Sequence, residues 1–160
     1  MDFTTTMQNL ALGIASGIFS SIIVSVVFYI LNEFQTELNK ANDMVYPLYG
    51  VIVSEKAYRI TTNIIELDFV NSYFEEAVEN FIRFEPWKFK DNLQTAMCQI
   101  NTLITDGKYV DTDMNLREDT ISEFSQKISL QLDIIQLCEK NFAQELIKRI
   151  FKNECVKVFL

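Results

Sequence analysis

Histidine occurs nowhere in the 160 residues, and no charged residue occurs from Phe3 to Asn32. The first absence excludes zinc sites built on imidazole and triads that use histidine as their base. Glycine and proline are scarce, confined to Gly13, Gly17, Gly50, Gly107, Pro47 and Pro86. With few turn formers and no sustained two-residue alternation, the expected fold class is all-α. Three widely spaced cysteines, Cys98, Cys138 and Cys155, contain no C-x-x-C pair and read as reduced thiols of a cytosolic domain. Neither a G-x-x-x-x-G-K-[ST] loop nor a G-x-S-x-G elbow is present, so no catalytic residue is assigned and an enzyme is not expected. Basic residues are also in deficit. After the uncharged run stand 21 acidic and 14 basic residues, a net charge of −7, which disfavours duplex nucleic acid as a partner.

What fills the uncharged run is Leu, Ile, Val, Phe and small residues. Leu10 to Leu31 is 22 residues, and about 20 cross a hydrocarbon core as a helix. A transmembrane helix is therefore expected within residues 1–31. A cleaved signal peptide is the competing reading, but no basic stretch precedes the run and no A-x-A site follows it. All the bases lie C-terminal to the run, starting with Lys40, which favours a single-pass protein of the inner membrane with its N-terminus outside and its C-terminal domain cytoplasmic. Tyr29 would then sit near the inner interface.

Within the run, Gly13, Gly17, Ser21 and Ser25 recur every four residues, a G-x-x-x-G pattern extended by serines that lets another backbone approach closely. An ordinary anchor with incidental glycines is the plainer alternative. A second pattern, in alternating steps of four and three, runs through Gly13, Gly17, Ser20, Val24, Val27 and Leu31 and continues beyond the run through Phe34, Leu38, Ala41 and Val45, which stand among polar neighbours. Residues 32–46 thus read as a helical stalk stopped by Pro47, its seam turned either to another copy or to the chain's own domain.

Residues 47–160 read as a helical sensor or oligomerisation domain of about four helices. Val70, Phe74, Ala77, Val78 and Phe81 mark one helix face, and Pro86 suits the first turn of a helix from about Trp87 to Thr105. "DGKYVDTDMNL" reads as a loop. A last helix runs from about Glu118 to Phe151, broken near Asn141, with Ile121, Phe124, Ile128, Leu132, Ile135 and Cys138 on one face. The acids Glu75, Glu76, Glu79, Asp111 and Asp113 match no calcium-loop spacing, so no metal site is assigned.

"RFEPWKFKDN", residues 83–92, carries the most suggestive chemistry. A helix opened by Pro86 would place Lys88 and Lys90 near its positive end, where the dipole disfavours cations. Either Glu85 or Asp91 pairs with them, or they join Arg83 around an anion held on the helix N-terminus, with Trp87 or Phe89 stacking on a base. Lys56 and Arg59, next to Tyr58, could share that site. Lys148, Arg149, Lys152 and Lys157 read as a solvated basic face.

The uncharged helix "LALGIASGIFSSIIVSVVFYIL", the short stalk and the small histidine-free helical domain together resemble the membrane effectors of bacterial antiviral signalling. More narrowly, size and order are similar to the small membrane proteins of type III CRISPR systems that are activated by cyclic tetra-adenylate. The resemblance implies a homo-oligomer, a tetramer around the cyclic oligonucleotide, whose activation disrupts the membrane or opens a channel. It implies no cofactor. Two other readings stand beside it: a passive membrane tether that docks a protein partner, and a holin-like permeabiliser, for which the large C-terminal domain is hard to explain.

Overall fold

The computed structural model describes residues 3–62 and 64–153, with side chains from residue 7 onward; Cys155 and Lys157 lie outside the described residues. Among these residues there are five α-helices and no strand. They are α1 (Phe3–Thr61), α2 (Ile64–Phe81), α3 (Asp91–Thr105), α4 (Ile121–Lys140) and α5 (Phe142–Lys152). The chain divides into two compact units: residues 1–36 with 142–160, and residues 37–141.

In the first unit the apolar part of α1 is long enough to cross a bilayer, and only 6% of its most apolar window is buried. Leu12, Ile18, Phe28 and Tyr29 are all more than half exposed. Three serine hydroxyls in this segment bond within the helix: Ser16 donates to the Gly13 carbonyl at 3.0 Å, Ser21 to the Gly17 carbonyl at 2.9 Å and Ser25 to the Ser21 carbonyl at 2.8 Å. Such back-bonding lets serine stand in an apolar medium without an outside partner. The unit is closed by Phe34, which is 1% exposed. Its ring stacks on Phe142 at 4.8 Å and 10°, and the Arg149 guanidinium lies 4.2 Å from its centroid. Phe34 thus ties both ends of α5 to α1.

The second unit is built on the remainder of α1. Pro47 does not stop that helix, contrary to the sequence expectation; it lies buried inside it. The missing N–H and ring clash of an interior proline cost about 3 kcal/mol. Burial of Val45, Leu48 and Val51 around it offsets that cost. α1 runs on to Thr61 and is terminated by Thr62, whose φ of 49° leaves the helical region and whose N–H caps the Tyr58 carbonyl at 2.6 Å. α2 then returns antiparallel to α1: Asn80 donates to the Met44 carbonyl at 3.4 Å, and the Tyr73 ring covers Gly50. α4 flanks α1 in the same antiparallel sense, through Arg59 with Ser122 and Gln136 with Tyr49. α3 packs on α4, and Phe74 of α2 meets Phe124 of α4 edge to face at 5.5 Å.

The expected faces of α2 and α4 are buried apart from Val78, which is half-buried: Val70, Phe74, Ala77 and Phe81 on one, and Ile121, Phe124, Ile128, Leu132, Ile135 and Cys138 on the other. The break near Asn141 is also present. Two expectations need correction. α3 begins at Asp91, because Pro86–Lys88 forms a single 3-10 turn and the backbone then extends through Phe89, whose ring is buried. The expected loop is partly core, since Tyr109, Val110 and Leu116 are buried there and Val110 bridges Leu116.

Candidate functional site

Three groups of residues drew attention in the sequence, and the structure treats each differently. In the membrane-crossing candidate, Gly17, Ser21 and Ser25 floor a shallow open groove of about 500 Å³ along the surface of α1. A Cβ at Gly13 or Gly17 would meet nothing within 4 Å. These glycines are not required by the chain's own packing. Since the Ser21 and Ser25 hydrogens are spent inside the helix, close approach along this face rests on small size more than on hydroxyl donation.

The stalk seam is turned into the chain itself. Phe34 is taken by Phe142 and Arg149, while Leu38, Ala41 and Val45 are at most 5% exposed within the second unit. Of the two roles the sequence left open, packing on the chain's own domain is the one the geometry has. A partner-facing seam there would require opening the core. A different stripe of the second unit is exposed: Tyr46, Val53 and Ile60, at seven-residue spacing on α1.

The basic-aromatic residues do not converge. Lys88 pairs with Glu85, and Lys40 stands 3.8 Å from the same carboxylate and 5.7 Å from the Phe89 centroid. The Lys88 hydrogen bond is the main reason the Glu85 carboxyl is held below its ordinary range and the Lys88 ammonium above its own. This cluster clamps the turn onto Phe84 and Phe89, whose rings stack at 6.0 Å. Arg83 is exposed just after α2, Trp87 is 70% exposed on the turn, and Lys90 is the residue before α3. Lys56 and Arg59 lie elsewhere. Lys40, which touches Glu85, precedes Lys56 by 16 helical residues, about 24 Å at the rise of an α-helix. The expected shared site is therefore two places, not one.

Lys56 and Arg59 do form a concave site, with α4. A groove of about 390 Å³ is lined on α1 by Glu55, Lys56 and Arg59 and on α4 by Ser122, Ser125, Gln126 and Ser129, with Ile52 and Leu130 as its apolar margin. Glu55 is 4% exposed and its Oε1 accepts no hydrogen bond; the Arg59 Nε lies 3.5 Å away. Arg59 Nη1 donates to Ser122 Oγ at 3.0 Å, which holds the guanidinium at the rim. At the adjoining end Tyr58 donates its hydroxyl to Glu118, and that hydrogen bond pushes the phenol pKa up. The groove thus offers a buried acceptor, several hydroxyls and two cations against one carboxylate. It can hold a ligand that combines N–H donors with an anionic group.

Glu55 is the residue sequence reasoning missed. Its signal was the helical period: Glu55 follows Leu48 by seven and Val51 by four, so an acid stands on the core face of α1. A second polar cluster was missed in the expected loop. Tyr109, 1% exposed, donates to Glu123 at 2.8 Å and accepts from Lys127 at 2.6 Å, and Lys108 reaches Glu123 at 2.6 Å. Donation from Lys108 first, then from Tyr109 and Lys127, lowers the Glu123 pKa to about 2. Its members are consumed by one another, which suits a clamp on the loop more than a binding site. Among the described residues no group of three metal-ligating side chains occurs. No protein-family model matches the chain, and no curated protein or solved structure matches it.

Proposed function

We propose that the chain is a single-pass membrane effector: residues 10–31 cross the bilayer, and the second unit, on the cytoplasmic side, takes a nucleotide second messenger in the Glu55 groove. The observation that carries the reading is the apolar segment of α1 left exposed by its own chain. Its 13 Leu, Ile, Val and Phe residues favour insertion by about 4–8 kcal/mol in total on the insertion scale. Cyclic tetra-adenylate is the ligand by the resemblance drawn above. One groove, near the lower end of ligand-pocket volumes, takes one nucleotide-sized part of such a ring, with Lys56 and Arg59 toward phosphate and Glu55 toward an amino group. Four copies then surround one ring, and the state that fits it is favoured. The small-residue face of α1 is where membrane helices would repack to disrupt the bilayer or open a channel.

The test is melting of the full chain in detergent with cyclic tetra-adenylate. A ligand at a hundred times its dissociation constant adds about 2.7 kcal/mol, a rise on the order of 10–20 °C for a unit of this size. No shift at saturating ligand would refute the ligand assignment.

A second reading is the passive tether. It is favoured by Ile82, directly after α2, and by Trp87, on the turn whose Lys88 is already paired, both at least 70% exposed. A tether leaves vesicles intact with or without ligand, whereas the effector releases an entrapped dye when ligand is added.

A further inference from the structure

The same contacts that close the first unit place α5 at a definite level along α1. Phe34, in contact with both Phe142 and Arg149, is three residues beyond Leu31, about 4.5 Å past the end of the apolar run. The polar headgroup layer is about 5–7 Å deep on each side of the hydrocarbon core. α5 is thus pinned at headgroup depth by residues of its own unit.

The side of α5 turned away from Phe34 is composed for that layer. Ala143, Ile147 and Phe151 recur every four residues and are exposed, Ile147 at 52% and Phe151 at 57%. Beside them runs a second exposed stripe with the same step, in which Lys148 and Lys152 carry the charge. Lys148 pairs with Glu145 at 2.7 Å yet keeps 60% of its side chain exposed. Over the whole helix three cations face one carboxylate. An apolar stripe flanked by lysines is the pattern of helices that lie in a membrane surface, with the apolar side chains at the acyl boundary and the ammonium groups at phosphates. We propose that α5 lies in the headgroup layer of the leaflet on the side of the second unit and binds anionic lipid there. This rests on the membrane-spanning reading of α1, and it makes lipid charge a determinant of the depth at which α1 sits.

The test uses the full chain carrying Trp87→Phe and Phe151→Trp, reconstituted in vesicles of phosphatidylcholine with or without phosphatidylglycerol. Nitroxide-labelled lipids quench the single indole from either the headgroup or the middle of the acyl chain. Since Phe151 is exposed, the larger ring needs no repacking, and Ile147→Trp provides an independent probe. Expected is a blue-shifted emission quenched more by the headgroup label than by the mid-chain label, and more in anionic than in neutral vesicles. Lys148→Gln and Lys152→Gln should each lower the surface-bound population about fivefold in anionic vesicles. Emission like that of a water-exposed indole, or a blue shift without lipid quenching, overturns the placement of α5. Equal quenching in neutral and anionic vesicles overturns the binding of anionic lipid. Alkaline carbonate extraction of the same samples separates the two levels: a chain that stays in the pellet keeps the membrane reading whatever the indole reports, and a chain lost to the supernatant overturns both.

Discussion

Adding one methyl group at Gly50 probes the α1–α2 contact within the second unit. An ideal Cβ built there lies 2.5 Å from Cγ and Cδ1 of Tyr73 and 2.8 Å from Cδ2. Carbon atoms pack at about 3.5–4.0 Å, so the ring must retreat by roughly 1 Å. Because Cγ is only two bonds from the backbone, α2 has to move with it. Overpacking of this kind costs about 1–3 kcal/mol, while alanine in a helix interior gains about 0.8–1.0 over glycine. Gly50→Ala should therefore lose about 1 kcal/mol net, a fall in Tm of about 4–8 °C for a unit of this size. The assay is near-ultraviolet circular dichroism on heating the full chain in detergent, which follows tertiary packing rather than the membrane helix. In a Tyr73→Ala background the clash is gone and the same substitution should raise Tm. A rise in the wild-type background, or an equal fall in both, would refute the contact.

Arg59→Ala should destabilise the second unit by about 1–3 kcal/mol, because it strands the buried Glu55 carboxylate; in the Glu55→Gln background most of that loss should vanish in the same melting assay. A Cβ at Gly13 or Gly17 meets no atom of the chain, so with both replaced by Leu the Tm and membrane insertion should stay unchanged while cross-linked oligomer and ligand-gated dye release decline; unchanged assembly would return the segment to a plain anchor. For Glu123 the folded-state pKa of about 2 lies below the ordinary 4.5. Its contribution is therefore complete above pH 4.5 and is lost as the pH falls toward 2. Glu123→Gln should flatten the acid limb of the stability profile in that window, less so at high salt, since the cluster is partly exposed; an unaltered limb would show the clamp to be absent.

Sequence periodicity read α2 and α4 almost residue by residue because each has one buried face, and the 3.6-residue repeat reports one face well. It failed where more than one face is covered or where local rules compete with packing. On α1 the seam at Leu38, Ala41 and Val45 was visible, but a stripe carries no label saying whether it meets its own chain or a copy. Pro47 obeyed its local rule in the sequence and lost to burial in the fold. At Pro86 the local rule held for one turn only, because burying Phe89 needs the extended backbone that follows. The groove was half legible: Lys56 and Arg59 were recognised, but α4 supplies the serines, and a separation of more than 60 residues leaves no local trace. The same holds for α5, whose basic face looked solvated until Phe34 fixed its level against the apolar run.

Protease protection tests the membrane-spanning claim most directly. Full-length chain in sealed vesicles, with the second unit outward, is digested and the membranes are then washed with alkaline carbonate. A bilayer-crossing α1 leaves one carbonate-resistant fragment that contains Leu10 to Leu31 and has lost the second unit. Complete digestion of that stretch, or its release by carbonate, would contradict the claim.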